Sequence, residues 1–229
     1  MIYLVEDTVF NTDAEWIVNT INCVGVMGKG LALEFALRYP KLNDIYIEQC
    51  KNKTIRVGKI YTYEIEDKKI INFPTKYSFK YPSQYEWIEQ GLLDFKNKYK
   101  ELNIKSVAFP LLGCNNGDLD RNIIISMMTK ILNLPDLDVY ICKSTKLAGK
   151  EKEMLENFQK ASIEELTKIG KLNVNQVKVV KDNKLKISRF YHILELDKIG
   201  KATYERLFTY FYKIDSSNKK IIQLSIYDI

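Results

Sequence analysis

Three glycines, Gly25, Gly28 and Gly30, stand between an apolar, β-branched run and a stretch of good helix formers. Ile17, Val18 and Ile21 belong to the first, and residues 31–38, rich in Leu, Ala, Glu and Arg, make the second. A strand, a glycine turn and a helix in that order can cradle a phosphate. Glycine lets the backbone approach the anion, and the N–H groups of the first helical turn point at it. The spacing is not that of a Walker A loop, and an ordinary strand-to-helix connection would look the same. A second glycine-bearing loop, Leu112-Gly113-Cys114-Asn115-Asn116-Gly117-Asp118-Leu119-Asp120, follows another short apolar run. The chain has one histidine, His192, and four scattered cysteines, Cys23, Cys50, Cys114 and Cys142, with no CxxC pair. No metal site is therefore expected, and a Ser-His-Asp triad would need His192 to reach the site. Acid–base and nucleophilic work falls to carboxylates, lysines and tyrosines.

These loops need a scaffold. Residues 2–6 predict a first strand and 15–21 a second, more deeply buried one. The helix after the glycine turn should run to about Tyr39, with Pro40 ending it or opening the next. Ile45, Tyr46 and Cys50 suggest a further short helix, and residues 59–65 and 69–73 two strands around a polar turn. Pro74 is expected to close the second of these, leaving 75–81 as a loop. Ser83-Gln84-Tyr85-Glu86 has the spacing of a capping box, ahead of a helix with Ile88, Leu92, Phe95 and Tyr99 on one face. A strand over 106–109, a helix over 122–132 and a strand over 138–143 follow. Such alternation predicts an α/β sandwich with a mostly parallel or mixed sheet, its ligand beyond the carboxyl ends of the strands. Both glycine loops and residues 75–81 should converge there.

After about Ser144 the pattern changes. Residues 150–168 predict one charged amphipathic helix, 174–195 extended segments, 204–212 an aromatic helix and 221–226 a last strand. The expectation is a domain over 1–147 and a small α+β appendage over 148–229. A chain of 229 residues is long enough for both. From Glu151 onward 15 Lys and Arg face 11 Asp and Glu, so most of the net charge of +6 lies there. That excess fits nucleic acid, and a solvated lysine surface explains it equally. No run of eighteen uncharged apolar residues occurs, and the N-terminus lacks the basic start and apolar stretch of a signal peptide. A cytoplasmic protein without membrane contact is expected.

Asn19-Thr20-Ile21-Asn22-Cys23-Val24-Gly25-Val26-Met27-Gly28-Lys29-Gly30-Leu31-Ala32-Leu33-Glu34-Phe35, Asn72-Phe73-Pro74-Thr75-Lys76 and Pro110-Leu111-Leu112-Gly113-Cys114 closely resemble macrodomains. Within that family the chain is similar to the DarG-type branch, DNA ADP-ribosyl glycohydrolase antitoxins paired with DarT DNA ADP-ribosyltransferase toxins. That branch is similar in turn to the terminal ADP-ribose glycohydrolases. The resemblance covers roughly residues 1–143. It implies a three-layer α/β/α fold with a mixed central sheet, binding ADP-ribose as ligand and product, with no cofactor and no metal.

Carried over position by position, the resemblance implies that Asn22 holds the distal ribose. Asn19, Cys23, Gly25, Val26, Met27, Gly28, Lys29 and Gly30 would form the first ligand loop. Lys76, with Thr75 beside it, would be the catalytic lysine. Leu112, Gly113, Cys114, Asn115, Asn116 and Gly117 would form the second loop, and Asp120 would assist the lysine. The family's glycine two residues before that aspartate is Asp118 here. At the adenine end the chain departs again. Glu6-Asp7-Thr8-Val9-Phe10 puts Thr8 where an aspartate is usual, so either Asp7 takes over or adenine is held more loosely.

A lysine can attack a sugar C1 only as the neutral amine, so its pKa of about 10.4 must fall through burial or a cationic neighbour. Lys80 is such a neighbour and also the rival. Each residue has a plainer reading. Asn22 could bond only to backbone, Asp120 could merely favour a helix start, and Tyr77, Phe79, Tyr81 and Trp87 could be core rather than a stacking platform for a base. The expected activity is removal of ADP-ribose from a DNA base. ADP-ribosylated single-stranded DNA is the expected substrate and a DarT-like toxin the expected partner. The alternatives are de-ADP-ribosylation of Glu or Asp on proteins and a non-catalytic ADP-ribose reader. The appendage is expected to contact the toxin or nucleic acid.

Overall fold

The sequence Trp16-Ile17-Val18-Asn19-Thr20-Ile21-Asn22 is buried along nearly its whole length. A strand apolar on both faces belongs in the middle of a sheet covered on both sides. The computed structural model, which describes residues 1–214, places it there. The chain divides into one compact unit, Met1–Lys146, and a second that begins at Leu147. In chain order the first unit holds β1 (Ile2–Val5), β2 (Trp16–Asn22), α1 (Gly30–Arg38), α2 (Pro40–Lys51), β3 (Tyr61–Ile65), β4 (Lys68–Lys76), α3 (Tyr85–Lys98), β5 (Ser106–Pro110), α4 (Arg121–Leu132) and β6 (Asp138–Cys142). The six strands lie in the order β1-β6-β5-β2-β4-β3. All neighbours are parallel except β3 and β4, so the sheet is mixed.

Side-chain alternation sends Val18, Ile71, Phe73, Val107 and Phe109 to one face, against Ile88, Leu92 and Phe95 of α3 and Ile124, Met128 and Leu132 of α4. Ile17, Ile70 and Ala108 turn to the other, against Phe35 and Leu42, while Tyr46 of α2 packs near Ile21. The result is the three-layer α/β/α arrangement. Helix α3 approaches the sheet closely: a Cβ on Gly91 would lie 2.3 Å from the Phe73 ring.

Two local expectations are corrected. β4 does not stop at Pro74 but continues through Thr75 to Lys76. A proline lacks the N–H of a regular ladder, and here it stands at an irregularity: Ile21 pairs with Pro74 and Asn22 with Lys76, so Thr75 is left over as a bulge. The capping box at Ser83 does not form either. Gln84 is the N-cap of α3, without a side-chain bond, and Ser83 turns inward, its hydroxyl buried without a partner. A Cβ on Gly117 would meet that hydroxyl oxygen at 2.3 Å, so Ser83 lies against the second glycine loop.

In the second unit α5 (Gly149–Lys160), α6 (Ile163–Gly170), α7 (Val174–Asn183) and α8 (Lys201–Lys213) accompany a 3-10 segment over Phe190–Glu195. Phe158, Phe190, Phe208 and Phe211 meet largely edge to face as its core. A half-sequestered ion pair of Arg189 and Glu151, 2.7 Å apart, borders it. The single helix expected over 150–168 is two, because Ser162 accepts a hydrogen bond from the Glu165 N–H and starts a new one. The extended reading of 174–195 is also wrong. Valines at 174, 177, 179 and 180 suggest a strand, but Asn173 and Gln176 form a reciprocal capping box that begins α7. Among the described residues this unit is helical, and the strand expected over 221–226 lies outside them. No described helix is long and apolar enough to cross a membrane.

Candidate active site

The carboxyl ends of β2, β4, β5 and β6 open onto a cleft of about 450 Å³, the place where open α/β sheets hold ligands. The first glycine loop forms one wall. Asn22 organises it: its Oδ1 accepts from the Val24 N–H at 2.9 Å and the Val26 N–H at 3.5 Å, and its Nδ2 donates to the Val26 carbonyl at 2.6 Å. Beneath it the buried Tyr46 hydroxyl donates at 2.9 Å to both the carbonyl and the side-chain oxygen of Asn22. Gly30, at φ +55°, takes a left-handed conformation that turns the chain into α1. The N-cap of α1 is Lys29, without a side-chain bond. The first-turn N–H groups, which no helix can satisfy internally, therefore face the cleft beside Leu31 and Ala32.

The second wall is the loop after β5. It crosses close to the first: a Cβ on Gly30 would lie 2.8 Å from the Asn116 side-chain nitrogen. Between the walls stands Lys76, only 8% exposed, donating from Nζ to the Asn116 carbonyl. Burial lowers its pKa below that of an ordinary lysine, and the Asp118 carboxylate partly opposes the shift. Two cysteines share the cleft, Cys114 and Cys142. Burial pushes their thiols up to about 11 and about 12, so both are protonated and poor nucleophiles at neutral pH. Lys143 also lines the cleft, but its amine is 2.8 Å from Glu6. Lys80 is exposed and is not among the residues lining the cleft. The arrangement offers a phosphate cradle on two sides and one buried amine of lowered pKa between them.

Residues 18–128 match the family model for the Macro domain. The solved macrodomain of Mycobacterium tuberculosis DarG is 41% identical with a TM-score of 0.60, and the match covers 62% of this chain and 97% of that one. The chain belongs to the macrodomain family. The Mycobacterium tuberculosis protein named DNA ADP-ribosyl glycohydrolase is 43% identical over 134 residues, which is 56% of this chain and 38% of that protein. A Thermosipho africanus relative, named a DNA ADP-ribosyl transferase–DNA ADP-ribosyl glycohydrolase fusion protein, is 32% identical over 157 residues, 60% of this chain and 40% of that one. The structure of Thermosipho africanus DarTG in complex with ADP-ribose matches with a TM-score of 0.59 at 32% identity, over 65% of this chain and 43% of that one. The chain thus spans 38% and 40% of the length of these two curated relatives.

Of the residues singled out from the sequence, this macrodomain brings Asn22, Val26, Gly28, Lys29, Gly30, Thr75, Lys76, Gly113, Cys114, Asn115, Asn116 and Gly117 to the cleft. Others support it from behind. Asn19 is fully buried against Asn72, its Nδ2 donating to Asn72 Oδ1 at 2.9 Å. Cys23 and Met27 are packed with Tyr46 and Ile55, and Gly25 sits over Cys50 at φ +77°. Leu112 is in the core. Asp120 is the N-cap of α4, accepting from Asn122 and Ile123 N–H at 2.9 and 3.0 Å, and it does not line the cleft. The carboxylate whose charge partly opposes the lowering of the Lys76 pKa is that of Asp118. At the far end Asp7 accepts from its neighbours Thr8 and Asn11, and Thr8 caps the short turn that follows. Neither side chain lines the cleft, but the Asp7 carbonyl accepts from Ser144, which does. Cys142, Lys143 and Ser144 are cleft residues that sequence reasoning missed. The signal was available, since β6 runs parallel to β1 and β5 and its carboxyl end opens on the same side.

Proposed function

We propose that this macrodomain is a DNA ADP-ribosyl glycohydrolase that releases ADP-ribose from a modified base in single-stranded DNA and so reverses the action of a DarT-like DNA ADP-ribosyltransferase. The observation that carries this reading is the buried amine of Lys76 between two glycine loops. A reader of ADP-ribose needs the loops, but it has no use for a desolvated amine at the ribose end of the cleft. With the diphosphate on the first turn of α1, the distal ribose would lie toward Asn22 and Lys76. The neutral amine attacks C1, the bond from C1 to the base nitrogen breaks, and its electron pair and a proton go to the departing base. Water then cleaves the lysine–ribose adduct and releases ADP-ribose. The names of the mycobacterial relatives support the reaction, and the fusion in Thermosipho africanus supports the toxin partner.

The test is a single-stranded oligonucleotide carrying ADP-ribose, incubated with the wild type and with Lys76→Ala. A protein ADP-ribosylated on Glu or Asp serves as the second substrate. The wild type should free ADP-ribose from the oligonucleotide, and Lys76→Ala should not, while still binding ADP-ribose by calorimetry. Release from the protein alone would change the substrate, and binding without release from either conjugate would leave a reader.

A further inference from the structure

Lys76 is followed at once by three large rings that face solvent. Tyr77 is 62% exposed, Phe79 54% and Tyr81 64%, and none of them packs on another aromatic ring among the described residues. Large exposed rings usually occur singly on a soluble surface, and a group of them marks a binding surface. The residue between the first two points the other way. Ser78 is 8% exposed, its carbonyl accepts from the Tyr81 N–H at 3.2 Å and its hydroxyl from the Lys80 N–H at 3.4 Å. The Tyr77 carbonyl accepts from the Cys23 N–H at 2.9 Å, which ties the segment to the first glycine loop. The rings are thus presented outward by a fixed turn. Residues 74–85 contain Lys76 and Lys80 and no Asp or Glu. Phe79 reaches the cleft itself, and Val24 and Val26, 40% and 38% exposed, extend the apolar rim on the loop alongside.

We propose that Tyr77, Phe79 and Tyr81 form a stacking platform for the nucleotides that flank the modified base in a single DNA strand, with Lys80 beside their phosphates. The proposal rests on the glycohydrolase reading and adds the surface that holds the leaving group. If Lys76 meets C1, the base bonded to C1 lies beside Lys76, and the strand attached to that base must leave over the residues that come next. Rings stack on any base because every base has a π-face. The platform accordingly selects single-stranded over duplex DNA without reading sequence. Its lysines and lack of acids suit a polyanion.

The experiment compares the wild type with the double variant Tyr77→Ala/Tyr81→Ala, both side chains being exposed and outside the cleft lining. Binding of a labelled, unmodified single-stranded oligonucleotide is followed by anisotropy, with the duplex of the same sequence as control. ADP-ribose release is measured from a modified oligonucleotide and from a modified mononucleotide. The double variant should bind the single strand about tenfold or more weakly and show a raised KM for the oligonucleotide. Turnover of the mononucleotide and affinity for ADP-ribose should stay at wild-type values, and Tyr77→Phe/Tyr81→Phe should restore oligonucleotide binding. Unchanged affinity for the single strand, or an equal loss on the mononucleotide, overturns the platform. A wild type that binds the single strand through these tyrosines but releases no ADP-ribose overturns the glycohydrolase reading and leaves the platform standing.

Discussion

Asn22 and Lys76 face one another across two neighbouring parallel strands, the last pair of the β2–β4 ladder. One residue shapes the first glycine loop and the other brings the buried amine, so on the proposed reading binding and chemistry start from a single rung. Asn22 does so through local bonds, to Val24, Val26 and Tyr46. Its importance lies first in the shape of the loop.

Replacing Asn22 by Ala should therefore lower affinity for ADP-ribose by about tenfold or more, because the Val24 and Val26 N–H groups and the Tyr46 hydroxyl lose their shared acceptor, each bond being worth about 1 kcal/mol. Tyr46→Phe should cost a few-fold. Calorimetric titration with ADP-ribose measures both, and wild-type affinity in Asn22→Ala would remove the organising role.

The lowered pKa of Lys76 predicts a rate that rises with pH as the amine loses its proton. Asp118 holds that proton on, so Asp118→Asn lowers the pKa further and should move the rising limb of the pH–rate profile to lower pH. Asn fits the left-handed backbone at this position, φ +61°. A rate that instead falls as pH rises through the Lys76 pKa would assign Lys76 a role as the charged ammonium.

Two glycines hold the loops in place. Gly30→Ala puts a side chain at φ +55° and against Asn116, and should weaken ADP-ribose binding through about 1–2 kcal/mol of backbone strain. Gly117→Ala should be worse, since its Cβ would lie 2.3 Å from the buried Ser83 hydroxyl and 2.4 Å from the Gly113 carbonyl. Affinity and unfolding temperature together should rank Gly117→Ala below Gly30→Ala.

Gly91→Ala tests the packing of α3. In an exposed helix this change stabilises by up to about 1 kcal/mol. Here the new methyl would sit 2.3 Å from the fully buried Phe73 ring, and overpacking of a dense core costs about 1–3 kcal/mol. The clash wins, and thermal unfolding should come several degrees earlier.

The α/β sandwich and the convergence of both glycine loops were legible, because short β-branched runs alternating with helical stretches and glycine turns are local signals that tertiary packing here reinforces. The position of Lys76 was legible only in part. Pro74 argued for a strand end, and only the pairing with β2 reveals a bulge that lets β4 continue. Ser83 shows the same limit: a capping spacing lost to burial under Gly117. In α7, β-branched valines spoke for a strand, while the capping box at Asn173 decided for a helix.

The buried amides of Asn19 and Asn72, hydrogen-bonded to each other, are in register on β2 and β4. Each also keeps one buried polar atom without a hydrogen-bond partner, Asn19 Oδ1 and Asn72 Nδ2, and such atoms cost about 1–3 kcal/mol apiece. An all-apolar pair would be indifferent to a one-residue slip, which would turn every following side chain to the opposite face. The amide pair makes such a slip costly. The geometry of the cleft end of these strands is thereby set by a keyed joint inside the core, away from the residues that line the cleft.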